Sequence, residues 1–269
     1  MNDCRFVIPS YKRSETVRDK TLSVLTKYKV DPSKVTVFVA NEEELADYKR
    51  SLQDTPYKNF VVGKVGIGAI RNFMRDWCEQ DEFCIHMDDD LMRIMKKIDD
   101  KTMDDIDDIY EDLVNPMWKA MQEHNTKLCG IYAAANPFFM KQRSSKGLYY
   151  CIGSLWGTIN DKHPDRYVKL DDKEDYERTL QYYVLDGGVS RLDNITVKSK
   201  YYTEPGGMQV ERTQERIDWS ADNLVERYPD LCTKYIRKTT GHAELRLKDR
   251  TKGKYEKPVE NNVEELLFG

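Results

Sequence analysis

Short apolar runs alternate with helix-like segments along the first ninety residues, and this alternation constrains the fold more than any other feature. Runs that predict strands lie at residues 5–8, 35–40, 60–62 and 83–87. Strands alternating with helices are typical of a parallel sheet covered on both faces, in which ligands bind beyond the carboxyl ends of the strands. We therefore predict an α/β fold with a mostly parallel sheet. The intervening helices are predicted at residues 14–27, 42–52 and 69–79.

The pattern after residue 100 is less regular, and we expect it to elaborate the same domain, because the chain has neither an evident repeat nor a linker. A helix or helix pair is expected over residues 103–125, interrupted near Pro116. The remaining predicted elements are strands at residues 131–135, 149–152, 156–159 and 195–197, and helices at residues 173–183 and 218–227.

The apolar runs are far shorter than the roughly 20 residues that a membrane-spanning helix requires. The N-terminus enters the first predicted strand almost at once, which leaves no room for a signal peptide. Charged residues make up 33% of the chain and hydrophobic residues 39%, which is typical of a globular protein with a charged surface. We therefore expect a cytoplasmic protein with no membrane partner. The oligomeric state is left open.

The chain has 6 cysteines, and none of them forms a C-x-x-C pair. Several lie in strand-like apolar segments, so we expect buried free thiols rather than disulfides. The 4 histidines show no H-E-x-x-H spacing either, and a structural zinc site is not expected.

The strand predicted at residues 83–87 runs directly into Asp88, Asp89 and Asp90. Crowded carboxylates repel one another unless a cation compensates their charge. Side chains two residues apart on an extended backbone point to the same side, so Asp88 and Asp90 can converge on one ion. Hard oxygen ligands suit Mg²⁺ or Mn²⁺, which then bridges phosphate oxygens. A solvated acidic turn is the alternative, but the position at the carboxyl end of a strand favours the metal site.

A glycine-rich connection containing Gly66 and Gly68 leads into the third predicted helix. Glycines before a helix allow the backbone to approach a ligand closely, and a helix N-terminus favours an anion. Arg71 lies one turn into this helix, where its guanidinium can pair with a diphosphate. The motif is not G-x-G-x-x-G, because Arg71 stands where the third glycine would be. By itself it is also compatible with an ordinary turn.

Three motifs together resemble the nucleotide-sugar half of GT-A glycosyltransferases: Ile-Pro-Ser-Tyr-Lys-Arg at residues 8–13, Gly-Ala-Ile-Arg-Asn at 68–72 and Met-Asp-Asp-Asp at 87–90. The resemblance implies a single GT-A domain over residues 1–269, in which residues 1–100 bind a UDP-sugar and residues 101–269 bind the acceptor. It implies that Asp88 and Asp90 form a D-x-D pair for Mn²⁺ or Mg²⁺. The residues predicted to contact the donor are Pro9, Tyr11, Arg13, Asn41, Glu42, Gly66, Gly68, Arg71, Asn72, Asp88 and Asp89.

Two later motifs extend the resemblance. Glu174-Asp175 resembles the pair at a helix start in inverting GT-A enzymes, whose aspartate is the general base that accepts the proton of the acceptor hydroxyl. Acidic residues at a helix N-terminus are also ordinary capping partners, so the assignment within this acidic stretch stays open. His242, in Thr-Gly-His, resembles the late histidine that completes the metal shell in several GT-A enzymes. A surface or core histidine is the alternative.

The motif set is similar to one branch in particular, the TET/JBP-associated glycosyltransferases of phages and kinetoplastids. This resemblance implies that the acceptor is the hydroxyl of a 5-hydroxymethylpyrimidine in DNA, most simply 5-hydroxymethylcytosine, and that the transferred sugar is glucose or arabinose. The net charge of −4 gives no global support for DNA binding, but local basic stretches can neutralise phosphates. The residues predicted to contact DNA are Lys141, Arg143, Lys146, Arg246, Lys248 and Arg250.

Other functions remain compatible with parts of this pattern. A GT-A enzyme with a non-DNA acceptor shares every donor residue. A nucleotidyltransferase shares the fold and the metal aspartates, but it normally needs a glycine- and lysine-bearing phosphate loop near the N-terminus, and residues 9–13 do not form one. A catalytically idle nucleic-acid-binding module would not need Asp88, Asp90 and Arg71.

Overall fold

The computed structural model describes residues 3–199 and 213–248. The strands are β1 (Arg5–Pro9), β2 (Val35–Val39), β3 (Phe60–Val62), β4 (Phe83–Met87), β5 (Leu91–Lys97), β6 (Met103–Asp105), β7 (Leu128–Ile131), β8 (Ser144–Gly147), β9 (Leu155–Ile159), β10 (Val189–Leu192), β11 (Ile195–Ser199), β12 (Cys232–Ile236) and β13 (Ala243–Leu247). The α-helices are α1 (Ser14–Asp19), α2 (Thr21–Lys27), α3 (Glu42–Ser51), α4 (Ile67–Trp77), α5 (Asn115–His124), α6 (Glu174–Asp186) and α7 (Gln214–Arg227).

A mixed eight-stranded sheet forms the centre of the molecule, in the order β3-β2-β1-β4-β9-β7-β10-β8. Strands β1 to β4 pair only in parallel with one another, and β10 pairs in parallel with β7. Strand β9 is antiparallel to both β4 and β7, so β4, β7 and β10 point the same way. The α/β fold with a mostly parallel sheet, predicted from the sequence, is therefore confirmed. We call the side on which β1–β4, β7 and β10 end the carboxyl edge.

A second sheet has the strand order β11-β5-β6. Because β6 belongs to this sheet, the prediction of a helix over residues 103–125 is wrong at its start. Residues 103–105 form strand β6 instead, because their acidic side chains pair with basic ones on β5. Asp105 lies 2.5 Å from the Arg93 guanidinium, for example. A π-helical turn, Tyr110–Val114, leads straight into α5. Pro116 lies in the first turn of α5, where its missing N–H costs nothing, and it does not interrupt a helix.

Three further predictions at element level need correction. The helix expected over residues 14–27 is two helices, because Lys20 has non-helical backbone angles (φ −115°, ψ −90°). Residues 149–152 are not a strand; they run below α6, where the Cys151 N–H donates to the Thr179 hydroxyl. Strand β7 ends at Ile131, and the predicted strand at 131–135 is mostly loop. Strands β5, β8, β10, β12 and β13 were not predicted.

Buried side chains of the central sheet form the core. Every residue of β2 and β4 is buried, as expected for strands covered on both faces. One apolar cluster joins side chains from Cys4 to Val197, so the parts before and after residue 100 share a core. All six cysteines are buried free thiols, which confirms that prediction. Within residues 3–199 and 213–248, no helix is long and apolar enough to cross a membrane.

Candidate active site

A cleft of about 340 Å³ opens at the carboxyl edge. Its lining comes from the loops that follow β1 to β4, from residues between β8 and β9, and from the start of α6. The topology thus gathers segments that are far apart in the chain. Of the residues predicted from the sequence, those that line the cleft are Pro9, Tyr11, Arg13, Gly66, Arg71, Asp88, Asp89, Asp90, Glu174 and Asp175.

Asp89, the central aspartate of the acidic motif, holds the loop after β1 in place. The Ser10 hydroxyl donates to Asp89 Oδ2 at 2.6 Å, and Arg13 Nη1 lies 3.2 Å from Asp89 Oδ1. Tyr48 on α3 donates in turn to Ser10 and accepts from the Arg13 N–H. Asp89 is 5% exposed, and burial raises its pKa to about 6. Asp89 therefore shapes the cleft wall, because both of its oxygens are bonded to the protein.

Asp88 begins a buried chain of alternating charges. Its Oδ1 lies 2.6 Å from Nη2 of Arg71, and Arg71 Nε lies 3.6 Å from Glu174 Oε1. Glu174 Oε2 accepts from Arg178 at 2.6 Å. Both arginines and Glu174 are buried. Arg71, which the sequence placed against the donor, thus links the two acidic motifs as well as lining the cleft.

Asp88 and Asp90 both line the cleft. Burial raises the pKa of each carboxyl above its ordinary value, and the neighbouring aspartate charges push in the same direction. A bound cation stabilises carboxylates whose charged form is disfavoured by burial and by like charges. Two carboxylates with room for waters and phosphate oxygens are the usual protein contribution to an Mg²⁺ site. The donor set therefore fits a divalent cation that also binds a diphosphate.

Asp175, at the start of α6, presents a carboxylate to the same cleft. Its Oδ2 accepts a hydrogen bond from the Tyr150 hydroxyl, and its Oδ1 accepts from the Tyr176 N–H at 2.9 Å. Burial raises the pKa of Tyr150 well above its ordinary value, so this phenol stays protonated and donates. A Cβ on Gly153 would lie 3.7 Å from Asp175 Oδ2, which is an ordinary van der Waals distance, so Gly153 borders this carboxylate.

The glycine-rich turn before α4 donates a backbone hydrogen bond to a carboxylate of the protein itself, Asp171. Gly66, the N-cap, has a φ of +94°, a conformation that favours glycine. The Gly68 N–H donates to Asp171 Oδ1 at 3.0 Å, and a Cβ on Gly68 would lie 2.8 Å from the Leu170 carbonyl oxygen. The backbone at Gly68 thus lies close to the segment before α6, and its expected approach to a ligand stays a prediction.

Besides Gly68, four residues predicted to bind the donor or the metal lie outside the cleft lining. Asn41 caps α3 by accepting from the Glu44 N–H at 2.9 Å, and Glu42 is exposed in the first turn of that helix. The Asn72 amide binds both backbone groups of Val168. His242 lies in the β12–β13 turn and contacts Gln214 through Nδ1. Among described residues, His242 does not join Asp88 and Asp90 in a cluster with ligand atoms within 4.8 Å of one another.

The residues predicted to contact DNA are dispersed. Lys141 and Arg143 are exposed in the loop between β7 and β8, near the carboxyl edge. Lys146 donates to the His124 carbonyl at the end of α5, and Lys248 donates to the Pro229 carbonyl. Arg246 is exposed on β13, and Arg250 lies outside the described residues.

Sequence reasoning did not single out several residues that line the cleft. Ser10 and Lys64 follow β1 and β3, so the rule that ligands bind beyond the strand ends could have identified them. Asp171 and Lys173 flank the start of α6 and belonged to a recognised acidic stretch. Tyr150 follows no motif, and only the folded chain brings it to Asp175.

Comparison with solved structures finds other proteins with a similar fold. The chain is similar to S. aureus TarS 1–349 in complex with UDP-GlcNAc, with a TM-score of 0.55 and 15% identity over 83% of this chain and 67% of that one. A second structure of S. aureus TarS 1–349 matches with a TM-score of 0.50 and 15% identity, over 73% of this chain and 59% of the other. No protein-family model and no curated protein sequence matches the chain. At this identity the likeness establishes the fold.

Proposed function

We propose that this chain is a metal-dependent glycosyltransferase that takes its sugar from a UDP-sugar. One observation supports the proposal most strongly: Asp88 and Asp90 share a single cleft with Asp175, although some 85 residues of chain separate the two motifs. Asp88 and Asp90 suit a cation that also binds a diphosphate, and Asp175 suits proton transfer. The TarS likeness supports the same proposal at the level of the fold.

The metal site in this proposal consists of Asp88 and Asp90, with His242 as a further ligand only if its turn moves toward them. A divalent cation bound there, Mn²⁺ or Mg²⁺, would neutralise the negative charge of the leaving diphosphate. Arg71 holds Asp88 in place through the 2.6 Å contact, and Asp89 fixes the loop of residues 10–13 beside it. The protein thereby fixes the carboxylates before the donor arrives.

The donor site follows from the remaining lining residues. Pro9, Tyr11 and Arg13 form the wall beyond β1, where we place the nucleotide. Lys64, which is exposed and lines the cleft beyond β3, adds a cation for the uridine diphosphate. Asn41, Glu42 and Asn72 lie outside the lining, so we assign them supporting roles in holding these loops.

Asp175 is the proposed general base. The acceptor oxygen attacks the anomeric carbon, the bond from that carbon to the diphosphate oxygen breaks, UDP leaves with the electron pair, and Asp175 takes the hydroxyl proton. Glu174 is unsuited to this role, since both of its oxygens face the guanidinium groups of Arg71 and Arg178. A single displacement of this kind inverts the anomeric configuration.

For the acceptor we propose a 5-hydroxymethylpyrimidine in DNA, most simply 5-hydroxymethylcytosine. Support comes from the loop between β7 and β8, near the carboxyl edge. Phe138 and Phe139 are 69% and 59% exposed there, and Lys141 and Arg143 follow them. Exposed aromatic rings beside cations suit nucleic acid, because bases stack on the rings and phosphates pair with the charges. A non-DNA acceptor is the alternative that the experiment must separate.

The test is mass spectrometry of oligonucleotides after incubation with the protein, Mn²⁺ and a panel of UDP-sugars. Matched duplexes and single strands carry cytosine, 5-hydroxymethylcytosine or 5-hydroxymethyluracil. We expect a mass increase of one hexose or pentose only on a hydroxymethylated base, and none with Asp175→Asn. Hydrolysis of a UDP-sugar without any gain in DNA mass would retain the donor site and reject the DNA acceptor. Absence of UDP-sugar binding to the folded protein would reject the glycosyltransferase itself.

A further inference from the structure

A second, smaller cavity of about 20 Å³ lies beneath the cleft, on the far side of Arg71. Its volume suits one water-sized or monatomic ligand and excludes a phosphate group, since a single water needs about 10–15 Å³. Arginines from α4 and α6 meet here around the stacked rings of His86 and Trp156, whose centroids are 3.6 Å apart. The cavity is therefore an unusual concentration of positive charge inside the protein.

Several hydrogen-bond donors around this cavity have no acceptor. All three guanidinium nitrogens of Arg75 lack a hydrogen-bond partner, as do Nε and Nη1 of Arg71, Nε of Arg178 and Nε1 of Trp156. These four residues are between 3% and 6% exposed, so bulk water does not satisfy them. Buried donors without acceptors cost free energy, and a buried unpaired cation costs more. These buried donors therefore need a hydrogen-bond acceptor that the described protein residues do not supply.

The local charge balance explains why the missing partner is negative. Arg71 and Arg178 share the carboxylates of Asp88 and Glu174. Arg166 has its own partners, Asp161 and Asp186. Arg75 alone contacts no carboxylate among the described residues; its guanidinium stacks 3.4 Å from the ring centre of Tyr167. One positive charge therefore remains uncompensated.

From this geometry we propose that the cavity binds a monatomic anion, chloride under ordinary conditions, between Arg71, Arg75, Arg178 and Trp156. An anion accepts from several N–H groups at once, whereas a water molecule also needs an acceptor. Apart from one imidazole nitrogen of His86, every orphaned atom around the cavity is a donor. Arg71 and Arg178 also pair with Asp88 and Glu174, which line the cleft. An anion bound to these arginines therefore stabilises the cleft lining.

The first test uses the unmodified protein. Crystals grown in bromide, with diffraction measured at the bromine edge, should show an anomalous peak in this cavity within reach of Arg75. In solution, exchanging gluconate for chloride or bromide at constant ionic strength should raise the Tm in a saturable manner, by roughly 5 °C or more at saturation. A cavity holding only water, with no anomalous signal, would overturn the proposal.

The second test separates a specific site from general salt effects. Arg75→Met removes the uncompensated charge and keeps a long side chain, while Arg50→Met alters an exposed arginine on α3 and serves as control. In gluconate, Arg75→Met should have a Tm equal to or above that of the parent protein, because an unpaired buried charge is lost. It should lose the chloride response, and Arg50→Met should keep it. Equal chloride responses in all three proteins would reject the site, whatever the effect on activity.

Discussion

The two acidic motifs of the cleft, Asp88-Asp89-Asp90 and Glu174-Asp175, divide their carboxylates in the same way. In each motif one carboxylate is buried against protein donors: Asp89 against Ser10 and Arg13, Glu174 against Arg178. In each, a neighbouring carboxylate is only partly buried and lines the cleft: Asp90 in the first motif and Asp175 in the second. Adjacent acidic residues thus differ in burial and in their hydrogen-bond partners.

The difference arises from backbone geometry. Asp88, Asp89 and Asp90 follow β4 in a turn, and this turn brings the Asp89 carboxylate against Ser10 and Arg13 of the loop after β1. At a helix start, successive side chains are about 100° apart, so Glu174 faces the interior when Asp175 does not. We call the buried carboxylate of each motif its anchor and the partly buried carboxylate its cleft member, since the two differ in exposure. Substitutions at the two kinds of position should therefore fail in different ways.

The largest effect on turnover is expected at Asp90, the cleft member of the first motif. Asp90→Asn should lower kcat by about 10⁴-fold, since a catalytic cation contributes several kcal/mol to the transition state. The Tm should change little, because Asp90 is not an anchor. Turnover with Mn²⁺ titrated over a wide range measures the effect, with Asp54→Asn on the surface as control. Unchanged turnover, or full activity of the parent protein in excess chelator, would eliminate the metal site.

Asp175→Asn should lower kcat by about 10³-fold, within the usual contribution of a general base. The dissociation constant for the UDP-sugar should stay near that of the parent protein, because the role proposed for Asp175 is to accept a proton from the acceptor. Isothermal titration with donor and single-turnover kinetics together separate the two quantities. Glu215→Gln, in the exposed first turn of α7, is the matched control. A variant that keeps its turnover would move the base to another residue.

The anchor of the second motif should instead affect stability. Glu174→Gln leaves Arg71 and Arg178 without their shared negative partner, and breaking such a buried pair costs about 3–5 kcal/mol. Urea unfolding followed by circular dichroism measures the loss. Glu43→Gln, exposed in the first turn of α3, should cost less than about 1 kcal/mol. If both variants unfold at the same urea concentration, the charge chain between the motifs has no structural importance.

This division also shows how far the sequence could be interpreted. Strands β1 to β4 were predicted because their apolar runs are continuous, and the topology rule then placed Asp88 and Pro9 on one edge. The pairing of Asp89 with Ser10 and Arg13 was beyond reach, because Asp89 and Arg13 were both predicted to contact the donor and Ser10 was not singled out. Only the folded loop reveals that these donors are already used.

The second half of the chain was harder for a different reason. Strand β6 carries Asp104 and Asp105, residues with low strand propensity, and it forms because basic side chains on β5 face them. Such cross-strand pairing depends on residues distant in sequence, which a periodic pattern does not contain. The same holds for Tyr150, whose contact with Asp175 depends on a segment without regular secondary structure.

The smallest effect is expected at the anchor of the first motif, through Ser10. Ser10→Ala removes the 2.6 Å hydrogen bond to Asp89 and the acceptor of the Tyr48 hydroxyl, which should cost about 1–3 kcal/mol of stability. Because the loop of residues 10–13 also lines the cleft, UDP-sugar affinity should fall several-fold while kcat at saturating donor stays within about threefold. Ser33→Ala, on an exposed turn, should change neither quantity. A kcat loss as large as that of Asp90→Asn would show that Asp89 belongs with the reacting groups, and the distinction between anchor and cleft carboxylates would have to be redrawn.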